Sequence, residues 1–396
     1  MPYEITATRK RPQGFEELAG QDFVSATLEA SLASGRIAHA YLFSGPRGCG
    51  KTSTARILAK ALNCEKGPGA KPCGVCSNCV SITAGSSLDV IEIDGASNTS
   101  VDNVRQIKDE VLFPPNSGRY KVYIIDEVHM LSMSAFNALL KTIEEPPPYV
   151  IFIFATTEMH KVPATIKSRC QQFTFRLIPV ETINTLLAVA AKDMTVEADD
   201  ESLLWIAKES GGSLRDAYTL FDQVVAFSDG RLSGAKIREK LGLIGLDAMN
   251  GLFESLVVQE ADGSGSRGLE ALDAFLARGI SAEQFVVDVI DYLRSLLLLK
   301  NGIGREALIG APAAAYSRTV LDALDSEKIE RGLALFFDLH RNLRTSPNQR
   351  FELELAVTRL SRLHDQVSPT ALALAVTELR RGLVQGLPGQ VRVPAA

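Results

Sequence analysis

The sequence predicts an α/β domain built on a parallel sheet, followed by segments that are entirely helical. Through residue 178, short β-rich runs alternate with runs of helical period, the order expected of parallel strands joined by helices. One run, "IFIFA" (151–155), is apolar at every position, as suits a strand buried on both faces. Beyond Pro179 the β-rich runs stop, and we read only helical patterns.

The predicted strands are short and rich in β-branched and aromatic residues. They are "AYLFS" (40–44), "LDVIEID" (88–94), "KVYIID" (121–126), "YVIFIFAT" (149–156) and "QQFTF" (171–175). Helical patterns lie between them, such as "KTSTARILAKALN" (51–63) and "SAFNALLKTIEE" (134–145). This alternation places the chemistry-bearing loops at the ends of parallel strands.

The composition indicates an acidic globular chain of two or three domains. Its 396 residues carry a formal net charge of −5, and 46% of them are hydrophobic, which is sufficient for ordinary cores. A protein that coats nucleic acid with its whole surface is usually basic, so any contact with DNA or RNA here must use a local patch or a concave inner face.

No membrane segment or secretion signal is expected. The first residues, "MPYEITATRKRPQGF" (1–15), lack an apolar core. The most apolar helical pattern (285–302) is interrupted by Asp288, Asp291 and Arg294, which favours a core helix over a membrane span. We therefore expect a cytoplasmic protein with reduced thiols.

A phosphate-binding loop is predicted between the first strand and the helix that follows it. The run "GPRGCGKT" (45–52) fits G-x-x-x-x-G-K-[ST] in that context, which disfavours the alternative of a Gly-rich turn with a surface lysine. Lys51 would reach the β- and γ-phosphates of a nucleotide, and Thr52 would bind Mg²⁺. The predicted contact residues are Gly45, Pro46, Arg47, Gly48, Cys49, Gly50, Lys51, Thr52 and Ser53.

An acidic pair ends the third predicted strand. Asp126 can hold the Mg²⁺ shell, and Glu127 can orient and deprotonate an attacking water. Such a pair alone could be a solvated turn, but a P-loop earlier in the chain favours hydrolysis. These residues predict a site that hydrolyses a nucleotide.

Four further residues have two interpretations each. Thr156 or Thr157, at the end of the fourth strand, could bind the γ-phosphate or the attacking water, or could satisfy its own turn. Arg169 and Arg215 could stabilise charge in phosphoryl transfer, or could form surface ion pairs.

A cysteine cluster follows the P-loop helix with the spacing C-x8-C-x2-C-x2-C. Four thiolates suit tetrahedral Zn²⁺ in a closed, structural site. An iron–sulfur cluster is the open alternative, although the ferredoxin pattern would require a cysteine where Thr83 stands. A disulfide pair is disfavoured by the expected compartment. The predicted metal ligands are Cys64, Cys73, Cys76 and Cys79.

Two cysteines lie outside the cysteine cluster, and three of the five histidines lie near the predicted motifs. Cys49 and Cys170 are expected to be small packing residues. His39, His129 and His160 are expected to be hydrogen-bonded structural residues, because none has a triad-like context.

Together these motifs resemble the AAA+ ATPases, specifically the gamma/tau subunits of bacterial DNA polymerase III, which drive the sliding-clamp loader. The resemblance is dense from about residue 3 to 223 and weaker across 245–366. It is carried by "RPQGFEELAGQ", "HAYLFSGPRGCGKTS", "LNCEKG", "CGVCSNC", "IEIDGASN", "VYIIDEVHMLS", "FNALLKTIEEPP", "ATTE", "SRCQQF" and "GGSLRDA".

The resemblance implies an AAA+ domain with a zinc-binding insertion, a small helical lid and an all-α collar that holds a pentamer together. The corresponding domains are 1–178 with a zinc module at 64–79, 179–242, 243–368 and a flexible tail at 369–396.

Site roles also follow from the resemblance. Arg169 would act as an arginine finger in trans on a neighbouring subunit's ATP, and Arg215 would contact nucleotide in cis. Thr157 would be the nucleotide sensor. The adenine pocket would be lined by Ala7, Arg11 and Pro12.

The resemblance further implies a function and its partners. ATP would close a spiral of delta, delta-prime and gamma/tau subunits that opens the sliding clamp and grips primer–template DNA, and hydrolysis would release the clamp. The candidate DNA contacts, which could equally be an ordinary solvated helix start, are Asn98, Ser100, Asn103 and Arg105.

One departure from the family concerns its longer members. They carry a C-terminal extension that tethers the polymerase core and the replicative helicase. The sequence ends at Ala396 without such a region, as would a gamma-length or truncated form. The resemblance therefore gives no expectation of contacts to polymerase core or helicase.

Overall fold

The structure, a computed structural model, describes residues 4–97, 110–228, 230–234, 236–237, 243–257, 266–363 and 369–384. The four candidate DNA contacts between residues 98 and 105 lie outside the described residues. The chain divides into two units, residues 1–233 and 234–396.

A five-stranded sheet forms the centre of the first unit. Its strands are β1 (Ala40–Ser44), β2 (Val90–Asp94), β3 (Lys121–Asp126), β4 (Val150–Thr156) and β5 (Gln171–Thr174). They are hydrogen-bonded in the order β2-β3-β4-β1-β5, and every pair is parallel. The predicted parallel α/β domain is confirmed.

The strand positions follow from their side chains. The inner strands β1 and β4 are buried along their whole length, whereas the edge strands β2 and β5 keep partly exposed positions. Ser44 pairs with Thr156, and Asp94 pairs with Asp126, so the carboxyl ends of the strands are aligned. The functional loops therefore emerge along a single edge of the sheet.

Helices cover both faces of this sheet. They are α1 (Thr6–Arg9), α2 (Asp22–Ala33), α3 (Lys51–Asn63), α4 (Ser77–Ala84), α5 (Met133–Glu144) and α6 (Ala164–Lys167). Alternation along β1 sends Tyr41 and Phe43 into one core with α2 and α3, while Leu42 enters the opposite core with α5. The result is a three-layer α/β/α arrangement.

The segment after the sheet is mainly helical. It contains α7 (Val180–Asp193), α8 (Asp200–Glu209) and α9 (Leu214–Ala226). Our prediction of helices alone was wrong here, because β6 (Glu197–Ala198) and β7 (Arg231–Leu232) form a two-stranded parallel sheet. Two-residue strands are too short to leave a periodicity in the sequence.

The described elements of the second unit are helical. The α-helices are α10 (Leu246–Val257), α11 (Ser266–Ala277), α12 (Ala282–Lys300), α13 (Glu306–Ile309), α14 (Arg318–Ala323), α15 (Ser326–Leu343), α16 (Gln349–Ser361) and α17 (Pro369–Val384). Phe285 on α12 and Phe336 on α15 are fully buried in one apolar core. In the described part of the chain, none of the helices has the length and apolarity needed to cross a membrane.

Candidate functional site

The P-loop requires glycine at positions where its backbone turns or meets another segment closely. Gly50, which immediately precedes α3, has a φ of 101°, a conformation that L side chains rarely adopt. A Cβ on Gly45 would lie 2.5 Å from the carbonyl oxygen of Phe175. A Cβ on Gly48 would lie 1.9 Å from Ser213 Oγ, at the cap of α9. The lid therefore packs directly on the loop.

The P-loop lysine is buried at the start of α3. Its Nζ donates hydrogen bonds to the carbonyl oxygens of Gly45 at 2.8 Å and Pro46 at 2.7 Å. The ammonium group is thus held inside the concave loop, beside the N-terminus of a helix that favours anions. Lys51 is placed to exchange these carbonyls for phosphate oxygens.

Two candidate Mg²⁺ ligands meet across neighbouring elements. Thr52 Oγ1 donates to Asp126 Oδ2 at 2.6 Å, which joins the start of α3 to the end of β3. A hydroxyl and a carboxylate are oxygen ligands of the kind that Mg²⁺ prefers. The two side chains already lie side by side, as their hydrogen bond shows.

Glu127, the second acid of the pair, has an unusual positive backbone φ. Glu127 has a φ of 46°, in the left-handed region that costs a non-glycine residue of order 1–3 kcal/mol. Its Oε2 accepts a hydrogen bond from Thr157 Oγ1 at 3.0 Å. The structure therefore brings Thr157, at the end of β4, onto the candidate general base.

One cavity of about 500 Å³ gathers most of the predicted nucleotide contacts. Its lining includes the P-loop and the acidic pair, and also three residues of the lid helix α9. Gly45 and Pro46 are not in the lining; their carbonyls bind Lys51. The predicted residues in the lining are Ala7, Arg11, Pro12, Arg47, Gly48, Cys49, Gly50, Lys51, Thr52, Ser53, Asp126, Glu127 and Arg215.

Sequence reasoning missed several lining residues, among them Leu18, Asp94 and Tyr218. Burial raises the pKa of the Tyr218 hydroxyl to about 12, so it stays protonated at neutral pH. Burial also lowers the pKa of Arg11, and the positive charge of Arg56 adds to that effect. No short motif marks these residues, because each reaches the cavity from a separate element.

The N-terminal wall of the cavity is bound to the lid. Thr6, on α1, donates from its backbone N–H to Asp222 Oδ2 at 2.7 Å and from Oγ1 to Asp222 Oδ1. Lys10 forms an ion pair with Asp193 at the end of α7. Asp222 lies on α9, so the segment that carries Ala7 and Arg11 is attached to the helix that carries Arg215.

Arg169 lies away from this cavity. Its guanidinium donates to the carbonyl oxygen of Thr165 at 2.7 Å and pairs with Glu144 at the end of α5. It is absent from the cavity lining, whereas Arg215 is part of it. The two predicted arginines thus occupy different positions relative to their own P-loop.

The four clustered cysteines come together in space. Their Sγ atoms all lie within 4.8 Å of one another, with Cys64 and Cys79 buried and Cys73 and Cys76 half-buried. The backbone N–H groups of Cys73, Cys76 and Cys79 donate to Cys64, Cys73 and Cys76 Sγ, respectively. Each of these three sulfur atoms therefore accepts a hydrogen bond from the backbone.

The sequence matches family models along nearly its whole length. Residues 20–179 match "DNA polymerase III, delta subunit", residues 182–230 match the ATPase lid domain of DNA polymerase III clamp loader subunits, and residues 232–376 match domain III of subunits gamma and tau. Each match follows the previous one without overlap.

Curated relatives decide the family. DNA polymerase III subunit gamma of Buchnera aphidicola is 34% identical over 375 residues, which cover 92% of this chain and 98% of that protein. The chain belongs to the gamma/tau family of DNA polymerase III subunits. Subunit tau of Bacillus subtilis is 40% identical over 92% of this chain, and that of Escherichia coli is 39% identical over 93%. The chain spans 64% and 56% of the lengths of these two tau proteins.

The cysteine cluster of this gamma/tau chain suits a metal with four sulfur ligands. Backbone N–H groups of Val75 and Cys76 lower the pKa of the Cys73 thiol to about 6, whereas burial raises the pKa of Cys79 to about 12. Metal binding requires thiolates, so a bound cation would remove the proton that burial retains on Cys79. The donor set and sulfur spacing fit Zn²⁺.

The other thiols of this gamma/tau chain differ. Cys49 Sγ donates to the carbonyl oxygen of Pro46 at 2.8 Å, and burial raises its pKa. Burial also raises the pKa of Cys170 to about 12. Among the described residues, neither belongs to the cysteine cluster, in keeping with their predicted packing role.

Proposed function

We propose that this chain is the ATP-hydrolysing motor subunit of a bacterial clamp loader. The observation that carries the proposal is the convergence of Lys51, the Thr52–Asp126 pair and Glu127 on one cavity. Cation, metal ligands and general base are the parts that phosphoryl transfer to water requires. Family membership supplies the biological setting.

Phosphate binding falls to the loop and its helix. Backbone N–H groups of Gly48 and Gly50 face the phosphates, since neither position carries a side chain to block them. Lys51 releases the carbonyls of Gly45 and Pro46 and binds the β- and γ-phosphates instead. Ala7, Arg11 and Pro12 supply the wall against the adenine, a proposal supported by their place in the lining.

Hydrolysis needs a bound cation and a general base. Mg²⁺ held by Thr52 and Asp126 would neutralise charge developing on the phosphates. Glu127 orients the attacking water and takes its proton. Thr157 holds the carboxylate of Glu127 and responds to the γ-phosphate from the end of β4.

Two arginines complete the proposed site. Arg215 reaches the nucleotide from the lid of the same chain, because it lines that chain's cavity. Arg169 serves the ATP of a neighbouring subunit, a role supported by its position outside its own cavity. ATP binding would thereby depend on the lid, and hydrolysis on assembly.

The proposed assembly contains delta, delta-prime and further gamma/tau copies, and it acts in the cytoplasm on a sliding clamp and primer–template DNA. Residues 1–178, 179–242 and 243–368 would be the ATPase, lid and collar domains, followed by a tail at 369–396. The DNA contacts proposed at Asn98, Ser100, Asn103 and Arg105 rest on the family resemblance alone.

The test of this function is an ATPase assay on the full chain mixed with delta and delta-prime partners. We expect turnover to rise when the clamp and primed DNA are both present, and to rise less with either alone. A rate that ignores both additions would contradict the clamp-loader function. Lys51→Ala is the inactive control, because it removes the ammonium group that would bind the phosphates.

We also propose that Cys64, Cys73, Cys76 and Cys79 hold a structural Zn²⁺. Four thiolates leave no open coordination position, so the metal would cross-link the insertion and take no part in hydrolysis. It would tie residues 73–79 to the end of α3, where Cys64 lies. The resulting module is a candidate surface for partner subunits.

Zinc content gives a direct test. Wild-type protein should contain about one zinc ion per chain, and Cys76→Ser should contain almost none and melt at a lower temperature. Cys170→Ser, which changes a partly buried thiol outside the cluster, should keep its zinc. Elemental analysis that finds iron, or a Cys76→Ser variant with unaltered hydrogen exchange across residues 64–79, would contradict the zinc proposal.

A further inference from the structure

His129 lies immediately beyond the acidic pair, in a 3₁₀ turn formed by Val128–Met130. Only 6% of its side chain is exposed. From the sequence we expected His129 to be a hydrogen-bonded structural residue. Its surroundings are instead the polar groups of the candidate hydrolytic site.

The Nδ1 atom of His129 faces the general base. It lies 3.3 Å from Glu127 Oε2 and 3.1 Å from Thr156 Oγ1. Glu127 Oε2 is the same oxygen that Thr157 Oγ1 binds. His129 Nδ1 and Thr157 Oγ1 thus approach the same carboxylate oxygen of Glu127.

The Nε2 atom of His129 faces a second carboxylate. It lies 3.3 Å from Glu158 Oε1, and Lys161 Nζ lies 2.9 Å from Glu158 Oε2. The hydrogen bond and charge of Lys161 lower the pKa of Glu158. The backbone N–H of Glu158 also donates to Thr156 Oγ1 at 3.0 Å, so Glu158 is fixed to the end of β4.

These contacts define the direction in which the imidazole must donate. A carboxylate oxygen lies opposite each ring nitrogen, and an N–H on Nδ1 can donate to Glu127 Oε2. Glu158, held by Lys161, orients the ring, and Nδ1–H then fixes Glu127 Oε2. The contacts with His129 Nδ1 and Thr157 Oγ1 both act on this oxygen and so restrict the direction of the Glu127 carboxylate.

We propose that His129 is a positioning residue that holds the Glu127 carboxylate in the orientation needed to activate water. Glu158 and Lys161 hold His129 in turn. This inference rests on the proposed ATPase function. It adds a residue that acts through Glu127 and makes no contact with ATP.

The decisive comparison uses two amides of different length. Asn at position 129 places an amide where Nδ1 lies, facing Glu127, whereas Gln places it where Nε2 lies, facing Glu158. Both variants are neutral, polar and able to fill the pocket. A role in packing alone would treat them alike, whereas a role in positioning Glu127 separates them.

The experiment measures kcat and KM for ATP with the full chain assembled with its partner subunits, clamp and primed DNA. We expect His129→Leu to lower kcat about a hundredfold and to leave KM within about twofold. His129→Asn should recover most of kcat, and His129→Gln should not. His39→Gln, a change at an exposed histidine outside this group of contacts, is the matched control and should retain the wild-type rate.

The outcomes separate this inference from the proposed function. Wild-type protein without stimulated ATPase activity would overturn the proposed function and this inference with it. A stimulated wild type together with a His129→Leu variant of equal kcat would overturn the inference alone. So would equal rates for His129→Asn and His129→Gln, or a loss confined to KM. Binding of a fluorescent ATP analogue shows that each variant is folded.

Discussion

Replacing Glu127 with Gln is expected to lower ATP turnover about 10²–10⁴-fold while leaving ATP binding intact. Gln has the same shape, and its carbonyl oxygen can still accept the hydrogen bond from Thr157 Oγ1. It cannot take a proton from water. The change therefore removes the general base without disturbing Lys51 or the Thr52–Asp126 pair.

Turnover and binding are measured separately. Steady-state phosphate release gives kcat, and titration with a fluorescent ATP analogue gives Kd. Glu145→Gln, at the exposed end of α5, removes a carboxylate outside the cavity and should match wild type. Repeated rounds of clamp loading by Glu127→Gln would show that Glu127 is not the base.

Replacing Arg169 with Ala is expected to lower the ATPase rate of the assembled complex by about 10³-fold or more. The isolated chain should be unaffected, because Arg169 binds Thr165 and Glu144 of its own chain and does not line its own cavity. The loss arises when a neighbour's ATP has no arginine to stabilise its transition state.

A mixing experiment tests the trans role. Complexes made only from Arg169→Ala, or only from Glu127→Gln, should both be slow. Mixing the two variants should restore activity, since an Arg169→Ala subunit keeps its own Glu127 and can receive Arg169 from a Glu127→Gln neighbour. Arg36→Ala is the exposed-arginine control. No recovery on mixing, or equal loss in the isolated chain, would contradict action in trans.

The central sheet was predictable because its signals are local. The run 150–156 is apolar on both faces, and the structure buries all of it as β4. The P-loop and the acidic pair were readable for the same reason, since each motif spans adjacent residues. The four cysteines were also close in sequence, and the structure brings their sulfur atoms together.

Contacts between distant segments could not be read in this way. Thr6 meets Asp222 across 216 residues, and Gly48 meets Ser213 across the sheet-to-lid connection. Nothing in the residue types at either end specifies such a pairing. His129 was predicted to be a hydrogen-bonded structural residue, which its contact with Thr156 confirms. Its partner Glu158 could not be named from the sequence, because it follows another strand that only the parallel register brings near.

The attachment of Thr6 to Asp222 has a consequence for how the lid and the nucleotide affect each other. One helix, α9, anchors the N-terminal wall of the cavity and also presents Arg215 and Tyr218 to its interior. A tilt of α9 would therefore alter both ends of a bound nucleotide at once. By reciprocity, ATP must shift the balance of lid orientations by the same free energy that lid orientation adds to ATP binding. The orientation of α9 and the occupancy of the cavity by nucleotide are therefore coupled in one equilibrium.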